Sequence, residues 1–189
     1  MTENSTGRPA AAAGVLGAAT VATGLIAGVF CIFACAVMPA LARSDDRVFV
    51  EVMGNIDDVI QNPVFFLSFL GAPVLTAVSA RQTRRSPHRR WVWAALAAYG
   101  LAFLVTTVVN VPLNDRLAAA GDPARNTDPA AVRERFEDTW VAWNVVRALL
   151  STVALACLAR ALLLHRGAAL TRPRTWRRRP GRGPAGSRA

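Results

Sequence analysis

Charged residues divide this chain into long apolar stretches and short polar ones. Pro9–Ala42 carries no charge in 34 residues, Asn62–Ala80 none in 19 and Trp91–Asn114 none in 24. Val141–Ala159 carries a single charge, Arg147, in 19 residues. A bilayer core of about 30 Å takes roughly 20 apolar residues as helix. The pattern predicts four membrane-spanning helices, at about 10–42, 62–80, 91–113 and 141–164. The fourth is drawn on to Leu164 because the charge-free run Ala148–Ala159 is too short alone, at about 1.5 Å per residue. Helices buried in a soluble core are the competing explanation. Four of them in so short a chain leave too little polar surface to cover them. A signal peptide competes for the first stretch, but its apolar run is about 7–15 residues and follows a positive segment. Here the run is longer and only Arg8 precedes it, so an uncleaved helix is expected.

The expected fold is all-α: an integral membrane four-helix bundle over 10–164, with an N-terminal tail at 1–9 and a C-terminal tail at 165–189. Loop charge sets its orientation. The segments Arg43–Gln61 and Asp115–Trp140 have net charges of −3 and −2, whereas Arg81–Arg90 has +5. From Arg160 onward there are nine arginines and no acid. Arginine-rich loops stay in the cytoplasm. The reading is therefore a multi-pass cell-membrane protein with both termini cytoplasmic and the acidic loops outside. The tail, rich in Arg, Pro and Gly, is expected to be disordered. Its partners would be anionic lipid headgroups. Arginine patches also bind nucleic acid, but no nucleic-acid fold accompanies this one, and no specific nucleic-acid partner is expected.

Composition narrows the class. Hydrophobic residues make up 53% and charged ones 18%, which excludes a disordered chain, a coiled coil and an ordinary soluble enzyme. All 22 basic residues are arginine, a bias that suggests a GC-rich bacterial source. Three cysteines without paired spacing exclude a disulfide framework and a tetrathiolate zinc site, and no metal site is expected. The Gly24/Gly28 pair spaces small residues for close helix packing, within the chain or in a homo-oligomer.

Arg147 is the first candidate for chemistry. An arginine inside a span normally faces the bundle interior and has a partner. Trp140, Asn144, Arg147 and Ser151 share one helical face, with Trp143 on its flank. The competing explanation is an interfacial belt of Trp140 and Trp143 with Arg147 reaching out to water. Asn110-Val111-Pro112-Leu113-Asn114-Asp115 is expected to end or kink the third helix at its proline, and freed carbonyls there would serve Asn110 and Asn114. Asn62 precedes Pro63 and reads as a helix cap. Asp57 and Asp58 precede it. These residues gather at one depth, on the outer side. His88 and His165 lie at the opposite side as ordinary interface residues.

Four motifs, "VMPALA", "QNPVFF", "NVPLND" and "WVAWNVVR", occur in order on the four helices. In these the chain resembles the anthrone oxygenase-like family of small four-helix membrane proteins, over about Val15 to Leu164. The resemblance implies oxidation of an anthrone-like aromatic polyketide to a quinone, in secondary metabolism, with molecular oxygen as co-substrate and no cofactor. Its matched polar positions are Asn62, Asn110, Asn114, Trp140, Asn144 and Arg147. An anthrone loses a proton to an electron-rich enolate that can reduce oxygen directly. Arg147 would hold the oxyanion, Asn110, Asn114 and Asn144 would donate to substrate oxygens, and Trp140 and Trp143 would stack on the polycycle. Asn62 would join the substrate-binding set. Asp57, Asp58 or Asp115 would be the base, or the partner of Arg147. The alternatives are a non-catalytic membrane protein that binds or exports a lipophilic metabolite, and a structural membrane subunit.

Overall fold

A computed structural model describes residues 7–121 and 128–170. The described residues are helical and form no strand. Helix α1 (Gly7–Ile32) continues through a π-helical turn, Phe33–Val37, into α2 (Met38–Leu41). Then come α3 (Asp46–Ile60), α4 (Pro63–Gln82) and α5 (Arg89–Val105). A second π-helical turn, Thr106–Asn110, joins α5 to α6 (Val111–Ala119), and α7 (Pro129–Leu170) ends the described chain. Among the described residues, four helical segments are long and apolar enough to cross a membrane: Ala10–Leu41, Pro63–Gln82, Arg89–Ala119 and Pro129–Arg166.

These four form a ring in which α1 packs on α4 and α7, and α5 packs on α4 and α7. Its core contains Leu16, Ile26, Phe69, Tyr99 and Leu158. The outward faces carry exposed Leu25, Leu67, Val74, Leu101 and Leu149. Gly24 faces Leu155 of α7, where a Cβ would lie 3.5 Å from its Cδ1, and Gly28 has open space. Of the two, Gly24 thus serves packing within the chain.

A second core sits at one end of the ring, built from Met38, Phe49, Val50, Met53, Leu113, Phe136 and Trp140. It exists because the acidic segment after α2 is a helix. Asp45 caps α3, its side chain accepting from the Val48 amide at 3.0 Å, which satisfies an otherwise unpaired first-turn donor. Phe49, Val50 and Met53 fall on one face and are buried. Loop-charge counting did not reveal this helix. Arg133 of α7 fastens it: Nη1 donates to the Ser44 carbonyl and Asp46, both at 3.0 Å, Nη2 to the Ala42 carbonyl at 3.1 Å, and Nε to Glu137 at 2.6 Å.

Prolines shape the spans differently from expectation. Pro112 does not end the third span, which runs on to Ala119. The π-turn ahead of it, closed by the Val111 amide on the Thr106 carbonyl, inserts an extra residue into the helix. Pro39 is treated alike, two residues beyond the turn closed by Met38 on Phe33. Such insertions accommodate a residue that can neither donate nor tolerate the preceding carbonyl. Pro73, inside α4, cannot donate to the carbonyl four residues back. That carbonyl, Phe69 O, instead accepts from the Tyr99 hydroxyl at 2.9 Å.

The fourth helix also exceeds its expected limits of 141–164, beginning at Pro129 and reaching Leu170. The polar residues 129–140 belong to it because Phe136 and Trp140 bury themselves in the second core. The start of the tail expected at 165 is likewise helical, as is 7–9 of the N-terminal tail. Residues 1–6, and 171–189 with most of the arginine-rich tail, lie outside the described residues.

Candidate functional site

The two cores enclose a cavity of about 310 Å³ where α1, α3, α4, α6 and α7 meet. Small-molecule sites run to about 300–1,000 Å³ and are mostly apolar with a few convergent polar groups. This one fits. Phe30, Phe33, Phe65, Phe66, Phe69 and Trp140 supply aromatic wall. Arg147, Asn144, Asn110, Asn114, Asp57 and Asp115 supply the polar part. Both π-turns border it, the first through Phe33 and the second through Thr106 and Asn110.

Arg147 is 5% exposed. Its guanidinium lies over the Phe30 ring at 4.4 Å and the Trp140 ring at 5.2 Å. Nη2 donates to Asn144 Oδ1 at 2.9 Å, and Asn144 Nδ2 donates to the Phe30 carbonyl at 3.1 Å. Helix α7 thus sets the arginine and α1 holds its acceptor. Among the described residues no carboxylate forms an ion pair with Arg147. A buried guanidinium without an anion is costly, and the aromatic faces recover part of that through cation–π attraction. The charge therefore remains free to meet an anion in the cavity. The interfacial alternative does not describe this arginine, since its guanidinium is inside.

Of the two carboxylates in the wall, Asp57 is engaged elsewhere. Asp57 Oδ1 accepts from Asn114 Nδ2 at 2.5 Å, and Asn114 Oδ1 accepts from Trp140 Nε1 at 2.8 Å. This relay crosses from α3 through α6 to α7. Burial raises the Asp57 carboxyl above its ordinary value, the Asn114 bond opposes that, and repulsion from Asp58 and Asp115 adds to it. A raised carboxylate is a better proton acceptor near neutral pH.

Among the described residues, two buried polar atoms in the cavity wall have no hydrogen-bond partner: Arg147 Nε, a donor, and Asn110 Oδ1, an acceptor. Asn110 Nδ2 donates to the Trp140 carbonyl at 3.4 Å, so its partner is a carbonyl of α7 and not one freed beside Pro112. Unpaired buried groups cost stability, and a ligand that accepts at one and donates at the other would relieve both.

Of the expected site residues, the cavity brings together Asn110, Asn114, Trp140, Asn144, Arg147, Asp57 and Asp115. It leaves out three. Asn62 spends its oxygen capping α4, on the Val64 and Phe65 amides, and its amide on the Val59 and Ile60 carbonyls. Trp143, on the flank of that face, turns outward and is 38% exposed. Asp58 is exposed, one residue past Asp57 on α3. The wall residues of α3, Met53, Ile56 and Ile60, were missed; their spacing with Phe49 was the available signal. His88, expected as an interface residue, is buried at the opposite end, edge-on to His165 at 5.3 Å.

A family model described as anthrone oxygenase matches residues 60–157, just over half of the chain. The match covers α4, α5, α6 and most of α7, hence every asparagine of the cavity and Arg147, and it leaves α1 and nearly all of α3 outside. No curated protein and no solved structure matches the chain.

Proposed function

The chain belongs to the anthrone oxygenase family, and on that premise we propose that it is a membrane-embedded oxygenase that oxidises a hydrophobic, anthrone-like aromatic to a quinone. The observation that carries this reading is Arg147: a buried cation without a carboxylate, set against aromatic rings in a cavity of small-molecule size. Four long apolar helices with outward-facing leucines and valines support placement in a bilayer. The charge of the connecting segments supports cytoplasmic termini.

In this mechanism the polycycle packs between the phenylalanines and Trp140. Asp57 removes a proton from the carbon opposite the carbonyl, leaving an enolate. Arg147 holds the developing oxyanion in low dielectric, where a fixed charge acts most strongly, and Asn144 keeps the guanidinium in place. The enolate carbon is electron-rich and reduces dioxygen. A C–O bond forms there to give a hydroperoxide, which loses water to leave the second carbonyl. One anthrone and one O₂ yield one quinone and one water. The carbanion is the reductant, so the reading assigns no metal or organic cofactor.

The test is conversion of anthrone in membranes carrying the wild type or Arg147→Ala, in air and under nitrogen, with empty membranes as the floor. The expected result is an oxygen-dependent rate above the floor that falls by about 10²–10³ in the variant, the usual loss on removing an oxyanion donor. A wild-type rate equal to the floor would overturn the reading, and tight binding of the aromatic without turnover would point to a metabolite-binding protein.

A further inference from the structure

The cavity has a mouth. Four of its wall residues are exposed: Gln61 at the α3–α4 corner, Phe66 on α4, and Val111 and Asp115 on α6. The other wall residues are buried or half-buried. The opening is therefore a slot between the first turns of α4 and α6. Deeper in the bundle the slot is shut, because Phe69 stacks on Phe103 at 5.1 Å and its carbonyl is bonded to Tyr99. The rim has two halves. Gln61 and Asp115 are polar; Phe66 and Val111 are apolar, 42% and 44% exposed.

The apolar half is continuous with the outward faces of the spans. Phe66 adjoins exposed Leu67 and Leu70 on α4, and Val111 follows exposed Val108 on the same helix. In a bilayer these faces meet acyl chains, and the polar half of the rim meets the headgroup layer. Behind the rim the walls run from Phe66 and Phe65 inward to Arg147. A planar aromatic dissolved in the bilayer can thus move edge-first from lipid to the guanidinium without crossing water.

We propose that the slot between α4 and α6 is a lateral portal, through which the substrate passes from the bilayer to the cavity, and that Phe66 and Val111 set the thickness of what is admitted. The proposal rests on the reading of the cavity as a site for a hydrophobic aromatic. It adds where that aromatic comes from, namely the lipid phase, and selects against bulky, non-planar molecules. The Gln61–Asp115 half of the rim would let the more polar quinone meet the headgroup layer on leaving.

The experiment uses full-length protein in lipid nanodiscs, in a background of Cys31→Ser, Cys35→Ser and Cys157→Ala. Phe66→Cys/Val111→Cys is bridged with a bifunctional maleimide, and binding of anthraquinone, which does not turn over, is followed by quenching of tryptophan fluorescence. Bridging is expected to slow association by about tenfold or more relative to the same double-cysteine protein left unbridged, as a closed path lowers an on-rate. Unchanged association in the bridged form would overturn the portal. If anthraquinone fails to bind even the cysteine-free background protein, which keeps Phe66 and Val111, the reading of the cavity falls. The portal is then judged by a measurement that needs no ligand, quenching of a bimane label on Phe66→Cys in the same background. Quenching by lipids brominated on the acyl chain supports it, and quenching by aqueous iodide alone overturns it.

Discussion

Arg147 donates to Asn144 at 2.9 Å, and Asn144 is itself held by the Phe30 carbonyl at 3.1 Å. One amide thus connects the cation on α7 to the backbone of α1. Asn144→Leu keeps the volume and removes both bonds. A positioning role predicts that kcat for anthrone oxidation falls by about 10²-fold, the cost of small misplacement, with KM little changed because the aromatic walls remain. Asn144→Gln, which retains the amide, is expected to recover part of the rate. Equal loss in both variants, or a change confined to KM, would refute positioning.

Asp57 gives the mechanism a pH dependence. Its carboxyl titrates above the ordinary 3.8 because it is buried. Enzymatic rate is expected to rise with pH through that elevated value and then level, after subtraction of the empty-membrane rate. Asp57→Asn removes the acid limb and lowers kcat by about 10²–10⁴, the span for a general base. The sign for stability is opposite. A carboxyl raised in the folded state binds protons more tightly there, so its contribution is present below 3.8 and lost as pH rises through the folded value. Asp57→Asn should therefore be no less stable than wild type at neutral pH, and inactivity combined with full stability would separate chemistry from folding.

His88 makes a prediction of the reverse sign. It is 2% exposed, neither ring nitrogen has a hydrogen-bond partner among the described residues, and burial first, then His165, lowers it below 6.5. The folded state favours the neutral ring, so the unfolded chain binds more protons between the folded value and 6.5. Stability is full above 6.5 and falls as pH drops toward the folded value. Thermal unfolding in detergent between pH 7 and pH 5 (a window about one to two units wide around the histidine range) should show this decline. His88→Phe should flatten it, and an unchanged slope would remove His88 as the cause.

Much of the site was legible because helical periodicity needs no tertiary information. Trp140, Asn144, Arg147 and Ser151 share a face in sequence and are all buried. What the sequence could not give was the partner of each polar atom. Asp57 lay close enough in sequence logic to pair with Arg147, yet Asn114 takes it. Asn62 does cap α4 as its place before Pro63 predicted, which leaves nothing for a substrate, and Trp143 turns outward. Helix α3 was hidden by counting its charges, although Phe49, Val50 and Met53 mark its buried face. Pro112 read as an end or a kink, and the π-turn that lets the helix run on through it has no composition signature of its own.

The bond from Tyr99 to the Phe69 carbonyl exists because Pro73 cannot occupy that acceptor. Tyr99 is 1% exposed and its ring packs near Phe69, so removing the hydroxyl leaves the carbonyl buried and unpaired. Tyr99→Phe is expected to cost about 1–3 kcal/mol, the penalty for an orphaned buried group. Pro73→Ala restores an amide that reaches the same carbonyl within the helix. In that background the hydroxyl is redundant, and Tyr99→Phe should cost less. Reversible unfolding of the four proteins gives the coupling directly. Additive losses would mean that the hydroxyl stabilises α5 against α4 for a reason unrelated to the proline. A coupling that cancels most of the Tyr99→Phe loss would show that a residue on one span completes the backbone of the next, below the mouth of the cavity.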